Sequence, residues 1–287
     1  MTDLSVVIVN FCTKDNLRVT LTSVFASNTA YSYEVFVVDN GSGDGSAEMV
    51  EKEFPAVNLI RNVNNGFSKA NNIALQQVAG DFVLILNPDT KLGVDVLQSC
   101  IDYLKANLDT GALSCRVLMP DGTLDKASRR NFPDPLNAFY RFSGLARIFP
   151  SSRRFGSYNL TFLPEDQATD VDAISGCFML IPRHVLNEVG LFDERFFMYG
   201  EDLDLCLRIK RAGYRIYYYP AVAITHYKRQ SSRKTPLTSL WHFHDAMWIF
   251  YKKHYADQHT QLFNWLVRAG IATRFGMLWV FNLFKRS

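Results

Sequence analysis

The sequence has few cysteines and opens without a targeting segment. Its five cysteines are an odd number and include no Cys-x-x-Cys pair, so neither a disulfide framework nor a zinc cluster is expected and a reducing compartment fits best. The apolar run at residues 4–9 lacks the basic segment and the small-residue cleavage site of a signal peptide. It is also far shorter than the roughly 20 residues that a transmembrane helix needs.

Two common phosphate-binding motifs are also missing. No Walker A sequence occurs in the chain. The turn at Gly41-Ser42-Gly43 is not a dinucleotide fingerprint, because Ser46 stands where a third glycine would be required and the turn follows the second predicted strand. Neither of these phosphate-binding loops is therefore predicted.

Acidic residues are scarce towards the end of the chain. Residues 228–287 contain ten Lys or Arg and two acids, so they carry +8, whereas the rest of the chain carries −5. A basic tail on an acidic body fits an anionic partner, either a phospholipid surface, a diphosphate or nucleic acid. A solvated basic face is an equally good interpretation.

The first part of the chain has a regular alternation of strand and helix. This pattern predicts an α/β fold with a mostly parallel sheet and helices on both faces. Ligands on such a sheet lie beyond the carboxyl ends of the strands, which draws attention to Asn10, Asp39 and Asn87. The predicted strands cover residues 4–10, 34–39, 57–61 and 82–86, and the predicted helices cover 15–27, 46–54, 68–78 and 93–108.

The second part of the chain begins with a long irregular stretch at residues 119–169, which is typical of a lid or binding loop. Regular patterns return afterwards, and two aromatic-rich helices are predicted at the end. We therefore expect one α/β domain over residues 1–236 and a helical extension over 237–287. The further predicted elements are a regular segment at 171–181, a helix at 202–212, a strand at 215–219 and helices at 240–254 and 261–284.

Acidic and amide side chains follow two of the predicted strands. Asp39 ends the second strand, where a carboxylate can accept hydrogen bonds from a nucleotide, although it could equally cap the next helix. Asn87 and Asp89 stand two apart, and on an extended chain they would point the same way. Oxygen ligands of this kind suit Mg²⁺, but a simple Asn-Pro-Asp turn is the alternative.

Three carboxylates crowd the start of the helix near residue 202. Glu201, Asp202 and Asp204 could be favoured there by the helix dipole and by capping, but this accounts more easily for one acid than for three. A carboxylate at a sheet-edge cleft can serve as a general base for a hydroxyl. His226 follows a later strand and could bind a metal, although a lone histidine is more often structural.

The joint order of these motifs resembles glycosyltransferase family 2, whose members are inverting enzymes with the GT-A fold. The resemblance covers about residues 4–228 and is greatest to the rhamnosyltransferases that use dTDP-rhamnose in bacterial surface polysaccharide assembly, including O-antigen. The same motif forms occur in transferases of other sugars, so a UDP-sugar (galactose, glucose, GlcNAc or galactofuranose) is the alternative donor. The matching segments are Val37-Val38-Asp39-Asn40-Gly41-Ser42, Asn65-Gly66-Phe67, Ala70-Asn71-Asn72, Asn87-Pro88-Asp89 and residues 200–208.

The resemblance implies roles for individual residues. Asp39 matches an acid that contacts the base and ribose of the donor, and Asp202 matches the catalytic base. Asp89 matches the last acid of a motif that binds Mg²⁺ or Mn²⁺, and His226 matches a histidine that completes the metal or diphosphate site. Asn87 stands where the family often has aspartate, which removes one formal charge. The other residues expected at the donor site are Asn10, Gly66, Ala70 and Asn71.

The acceptor is expected to be a glycan on a polyprenyl diphosphate. Arg129 and Arg130 in the irregular stretch could bind its phosphates, with Glu201 nearby, because arginine forks suit phosphate oxygens. Ordinary surface charge is the alternative. A second basic cluster that could serve the same purpose consists of Lys228, Arg229, Arg233 and Lys234.

The last predicted helix is apolar but carries Arg268 and Arg274, each costly at a bilayer centre. Its aromatic and basic ends favour a helix lying in the membrane interface, and hence a cytoplasmic protein bound peripherally at the inner face of the cell membrane. A buried core or dimer helix is the alternative. The residues at these ends are Trp265, Trp279, Lys285 and Arg286.

Two other functions remain open from the residues alone. A sugar nucleotidyltransferase would normally have a glycine- and arginine-rich stretch after the first strand, where this chain has Asn10-Phe11-Cys12-Thr13-Lys14. A non-catalytic nucleotide-binding or nucleic-acid-binding module could use the basic tail, but it would have no use for the acids at 201, 202 and 204.

Overall fold

The computed structural model describes residues 2–134, 140, 143–227 and 236–284. The basic cluster at Lys228, Arg229, Arg233 and Lys234 lies outside the described residues, as do Lys285 and Arg286.

The described residues form one mixed sheet of nine strands. In spatial order the strands are β3-β2-β1-β4-β8-β6-β9-β5, and β7 pairs with β9. The strands are β1 (Leu4–Asn10), β2 (Tyr33–Asn40), β3 (Asn58–Asn62), β4 (Phe82–Leu86), β5 (Thr90–Leu92), β6 (Thr110–Leu118), β7 (Thr169–Asp170), β8 (Phe178–Pro182) and β9 (Arg215–His226).

Helices cover both faces of this sheet. They are α1 (Lys14–Phe25), α2 (Ser46–Glu53), α3 (Phe67–Leu75), α4 (Val96–Ala106), α5 (Leu145–Ile148), α6 (Arg183–Val189), α7 (Glu201–Arg211), α8 (Pro236–His254) and α9 (Gln261–Phe284). The expected α/β class with a helical C-terminal region is confirmed. No helix within the described ranges combines the length and the hydropathy that crossing a bilayer requires.

Strand direction brings several chain segments to one rim of the sheet. The strands β1 to β4 run parallel, and Asn10 of β1 lies opposite Asp39 of β2. Strand β8 runs antiparallel to β4, with Phe178 opposite Leu86, so β8 begins at the rim where β1, β2 and β4 end. Segments remote in sequence therefore meet there.

The core divides into two layers because successive strand residues face opposite sides of the sheet. In β1, Val7 and Val9 join the layer under α3 and α7, whereas Leu4, Val6 and Ile8 join the layer under α1 and α4. Burial on both faces explains why β1 is a continuous apolar run. Ala246 and Phe250 of α8 belong to the first layer, so the first C-terminal helix shares the core of the α/β domain.

Some local predictions were wrong. Asn87 and Asp89 lie in a turn between β4 and β5, not on an extended strand. Strand β9 does not end at Tyr219 but continues to His226. Its pairing with β6 shifts register between Tyr219 and Ala223, and this irregularity accommodates Pro220, which cannot donate a ladder hydrogen bond.

Candidate active site

A polar cluster lies at the ends of β1 and β2. Asn10 donates from Nδ2 to Asp39 Oδ1 at 2.9 Å, and the Ser42 amide donates to Asp39 Oδ2 at 3.0 Å. Asn10 also donates to the Ser42 hydroxyl at 3.0 Å, and Thr13 donates to Asn10 Oδ1 at 2.6 Å. Both Asn10 and Asp39 are buried. The Asp39 carboxylate is thus held in one orientation at the rim.

Asparagine side chains fix the loop that leads from β3 into α3. Asn40 accepts from Asn62 at 2.9 Å and donates to Asn64 Oδ1 at 3.1 Å. Gly66 ends this loop with φ of +100°, and a Cβ there would lie 2.6 Å from the Phe197 carbonyl oxygen. Only glycine fits such a backbone and such a close approach.

Helix α3 is tied to the segment that precedes α7. The Phe67 amide donates to the Phe197 carbonyl at 2.6 Å. Asn72 donates to the Phe192 carbonyl at 2.9 Å, and the Phe192 amide returns a bond to Asn72 Oδ1 at 3.1 Å. Ala70 and Asn71 are fully buried on the same helix, and the buried Asn71 Oδ1 has no hydrogen-bond partner among the described residues.

His226 stands between two carboxylates. Its Nε2 lies 3.2 Å from Asp89 Oδ1 and 3.4 Å from Asn87 Nδ2, and its Nδ1 lies 3.2 Å from Asp125 Oδ2. A carboxylate that holds one ring nitrogen and leaves the other facing a second oxygen ligand is the usual arrangement around a metal-binding histidine. Asp89 and His226 therefore fit a divalent cation. Cys177 is also buried near the ring, and Asp125, Cys177 and His226 together could hold a metal ion.

The surroundings of His226 favour its charged form. Burial lowers the pKa of His226, but the neighbouring Cys177 and the hydrogen bonds to Asp125 and Asp89 outweigh this and raise it to about 12. Without a cation, the imidazolium therefore offsets one of the two carboxylate charges and leaves a net negative charge around the ring. A divalent cation would have to displace this proton, because only neutral imidazole is a ligand.

Asp202 lies at the same rim, at the start of α7. Its Oδ2 accepts from Arg130 Nη2 at 2.6 Å and is 3.4 Å from the Gly176 amide. Gly176 lies two residues before β8, and the Asn87 amide donates to the Cys177 carbonyl at 3.0 Å. Asp202, Asn87 and the start of β8 are therefore neighbours, and Asp89 is two residues further on.

The other two acids of this helix have different surroundings. Burial, followed by repulsion from Asp202, raises the pKa of Glu201 to about 8, and Glu201 Oε2 is buried without a hydrogen-bond partner in the described ranges. Asp204 is completely buried and is bound by Lys253 at 2.6 Å, His254 at 2.7 Å and Arg208 at 2.9 Å. Asp204 thus joins α7 to the end of α8.

The two arginines expected at the acceptor are both internal. Arg129 is 1% exposed and donates to the carbonyls of Leu163 and Pro164 at 2.7 Å each, while stacking on Tyr218. Arg129 therefore links two parts of the irregular stretch and does not face an acceptor. This corrects the expectation that Arg129 binds the acceptor's phosphates. Arg130 pairs with Asp202 and donates to the Ile174 carbonyl at 3.0 Å.

Sequence reasoning missed Asp125 and the partner of Arg130. Asp125 lies in the irregular stretch, 101 residues from His226, and no motif marks it. Arg130 was singled out for its charge, but its ion pair with Asp202 spans 72 residues and follows only from the fold.

Comparisons of the sequence find glycosyltransferases that are similar to this chain. A family model described as "Glycosyltransferase like family 2" matches residues 2–240. The N-acetylglucosaminyl-diphospho-decaprenol L-rhamnosyltransferase of Mycobacterium tuberculosis is 29% identical, over 96% of this chain and 92% of its own. Rhamnosyltransferase WbbL of Escherichia coli K12 is 30% identical, over 70% of this chain and 75% of its own.

A solved structure supports the fold. The mannosyltransferase PcManGT from Pyrobaculum calidifontis, in complex with GDP-Man and Mn²⁺, superposes with a TM-score of 0.59 and 20% identity. It covers 90% of this chain, which spans 65% of that protein. The expected GT-A architecture is confirmed, and the chain belongs to glycosyltransferase family 2.

Proposed function

We propose that this protein transfers L-rhamnose from dTDP-rhamnose, with inversion at the anomeric carbon, to a hydroxyl of a lipid-linked glycan in bacterial surface polysaccharide synthesis. The observation that carries the proposal is the meeting of Asp39, Asp89 and Asp202 at one rim of the sheet. The two relatives named as rhamnosyltransferases, at 29% and 30% identity, favour this sugar.

The donor's nucleoside would lie against the ends of β1 and β2. Asp39, oriented by Asn10 and Ser42, would accept hydrogen bonds from the base and ribose. The sugar and phosphates would pass the loop at Gly66 and the start of α3, where Ala70 and Asn71 are packed. The Asn71 amide oxygen is oriented by the bond that its Nδ2 donates to the Phe67 carbonyl at 2.9 Å.

Asp89 and His226 would hold Mg²⁺ or Mn²⁺, which offsets the charge that develops on a departing diphosphate. Asp125 keeps the His226 ring oriented through Nδ1. Asn87 offers its amide oxygen without a charge, so Asp89 supplies the formal negative charge at this motif.

Asp202 would act as the general base. It takes the proton of the acceptor hydroxyl while that oxygen bonds to the anomeric carbon, and the bond from this carbon to the diphosphate oxygen breaks on the opposite face. Configuration therefore inverts through an oxocarbenium-like transition state. Arg130 holds the carboxylate in place at 2.6 Å, and the buried Glu201 beside it would help to orient the acceptor.

An enzyme that acts on a lipid-linked acceptor would work at a membrane. The exposed side of α9 is largely apolar, with Leu262 70%, Trp265 65% and Met277 63% exposed. Its two cations turn to α8: Arg268 stacks on Trp248, and Arg274 donates to His244 at 2.6 Å. A surface of this kind fits the cytoplasmic face of an anionic bilayer, since residues 228–287 also carry +8.

A donor comparison tests the proposed reaction. Purified protein with Mg²⁺ or Mn²⁺ and a GlcNAc-diphosphate lipid is given dTDP-rhamnose, UDP-glucose, UDP-galactose, UDP-GlcNAc or UDP-galactofuranose. We expect turnover with dTDP-rhamnose above all others, and a product anomer opposite to that of the donor by NMR. Preference for a UDP-sugar would contradict the donor, and a retained configuration would contradict the single displacement.

A further inference from the structure

A cavity of about 300 Å³ opens in the irregular stretch between β6 and β7. This size is at the lower end of the range of about 300 to 1,000 Å³ for small-ligand sites. Its polar lining includes Lys126, Arg147, Tyr158, Asn159 and Thr161, and Phe155 supplies an aromatic wall. None of the described residues that line it is acidic. The cavity is therefore suited to a ligand that combines an anionic group with an apolar face.

The two cations of this cavity are available to a ligand. Within the segments that the structure covers, neither Lys126 nor Arg147 is paired with a carboxylate. Both side chains are exposed, and they approach the cavity from different segments, the 3-10 helix Lys126–Ser128 that follows β6 and helix α5. Phosphate oxygens are good partners for both, since arginine offers a planar fork and lysine a compact charge.

Two of the lining residues connect this cavity to the rim of the sheet where the proposed catalytic residues lie. Lys126 directly follows Asp125, whose carboxylate lies 3.2 Å from His226 Nδ1. On the other side, the Tyr158 carbonyl accepts from the Asn131 amide at 2.8 Å, and Asn131 directly follows Arg130 in the chain. Arg130 in turn holds Asp202. The cavity is thus linked to the proposed metal ligands and to the proposed base.

From this placement we infer that the cavity binds the glycosyl diphosphate portion of the acceptor. Lys126 and Arg147 bind the diphosphate, and Phe155 packs on an apolar face of the attached sugar. Tyr158 and Asn159 offer hydrogen bonds to its hydroxyl groups. This inference rests on the proposed glycosyl transfer, because it assigns the acceptor side of the same site.

The other large cavity does not fit this role. It has a volume of about 350 Å³ and lies at the opposite rim, where β4 begins and β8 ends. Its cations have partners, because Lys105 lies 3.9 Å from Asp3 and Arg183 lies 3.5 Å from Asp81. Lys105 and Arg183 therefore supply a control pair with the same loss of charge.

Direct binding of inorganic pyrophosphate tests the inference. Titration calorimetry is performed with saturating dTDP and Mg²⁺, so that the donor site is filled, on wild type, Lys126→Gln/Arg147→Gln and the control Lys105→Gln/Arg183→Gln. We expect the dissociation constant for pyrophosphate to rise about tenfold in the first variant, as the loss of charge-assisted hydrogen bonds implies, and to stay unchanged in the control. Affinity for dTDP should remain unchanged in both.

Steady-state kinetics with a water-soluble GlcNAc-diphosphate alkyl acceptor give a second readout. The KM for the acceptor should rise about tenfold in Lys126→Gln/Arg147→Gln, with kcat and the KM for the donor unchanged. Absence of pyrophosphate binding in wild type, or equal affinity in wild type and this variant, would overturn the subsite. Failure of the transfer reaction itself would appear separately, as a lack of donor turnover by wild type. If the double variant fails to fold, the single Lys126→Gln change at an exposed position replaces it.

Discussion

At the residue scale, Gly66 shows how one position can hold in place the loop between β3 and α3 (residues 63–66), the proposed donor loop. Its φ of +100° disfavours any side chain, and a Cβ atom at this position would lie only 2.6 Å from the Phe197 carbonyl oxygen. The adjacent Phe67 amide is hydrogen-bonded to that same carbonyl. A side chain at 66 would therefore separate the loop from the segment that leads to Asp202.

Gly66→Ala should lower stability and weaken donor binding. This positive-φ extended backbone, which is essentially restricted to glycine, alone costs about 1–3 kcal/mol, and the clash adds about 1–3 kcal/mol. Gly122→Ala is the matched control, because Gly122 has a φ of +81° with nothing within 4 Å of its Cβ position. Urea unfolding and the KM for dTDP-rhamnose measure the two effects. Equal losses in both variants would show that the contact with Phe197 is unimportant.

Glu201 gives a pH-dependent prediction. Burial and repulsion from Asp202 raise the pKa of Glu201 from its usual 4.5 to about 8, so the folded protein holds a proton that the unfolded chain releases near pH 4.5. The contribution of this group to stability is complete below pH 4.5 and is lost as the pH rises to about 8, by at most about 1.4 kcal/mol per pH unit.

Glu201→Gln should remove this loss of folding stability at high pH. The variant should match wild type in urea unfolding near pH 5 and exceed it at pH 8.5, since glutamine resembles the protonated acid. Glu51→Gln, at an exposed carboxylate, is the control and should show no such difference. Parallel pH profiles for wild type and Glu201→Gln would mean that Glu201 is ionised in the folded protein.

At the element scale, Asp204 connects the helix of the proposed base to the C-terminal helices. It is fully buried with three cationic or imidazole partners, and Lys253 also binds Asp193 at 2.7 Å in the segment before α7. The end of α8 therefore stabilises both α7 and the segment that contacts the donor loop. The C-terminal helices therefore support the helix that carries the proposed base.

Asp204→Asn should destabilise the protein by about 3–5 kcal/mol, because it removes the fully buried charge with which Arg208 and Lys253 are paired. Asp172→Asn is a suitable control, since its pair with Lys210 of the same helix is 3.5 Å long and partly exposed. That change should cost about 1 kcal/mol or less. Chemical denaturation compares the two, and a similar loss in both would contradict the anchoring role of Asp204.

The elements that could be predicted from the sequence are those with a strong local pattern. Strands β1 and β4 have the predicted bounds because buried parallel strands read as unbroken apolar runs. Strand β6 was not predicted, since Gly111 and Ser114 interrupt its pattern, and its place between β8 and β9 depends on pairing across the sheet. Similarly, the order of the motifs predicts Asp39, Asp89 and Asp202 as site residues, but the pairing of Arg130 with Asp202 is seen only in the fold.

At the scale of the whole molecule, positive charge and exposed apolar side chains are concentrated in the C-terminal part of the chain. The helix α9 contains no acidic residue, and the exposed side chains of Leu262, Trp265 and Val280 lie one to five turns apart on one side of it. The +8 charge of residues 228–287 adds attraction to anionic lipids, which salt would screen.

Leu262→Glu should reduce binding to anionic vesicles while transfer to a water-soluble acceptor is retained. Binding to phosphatidylglycerol vesicles, measured by sedimentation, should fall about tenfold and should fall further in high salt. Leu108→Glu, at a leucine that is 79% exposed on the α/β domain, should have no effect. Equal binding by both variants would contradict the membrane role of α9, and a dimer broken by Leu262→Glu would assign the surface to a second copy.

The measurement that tests the central claim most directly is single-turnover transfer by Asp202→Asn, with dTDP-rhamnose affinity measured on the same sample. We expect the rate of transfer to fall by about 10²–10⁴-fold with the dissociation constant of the donor unchanged, because the base acts on the acceptor hydroxyl and does not hold the nucleotide. Transfer at a rate close to that of the wild type, by a variant that folds and binds donor normally, would contradict the assignment of Asp202 and with it the proposed mechanism.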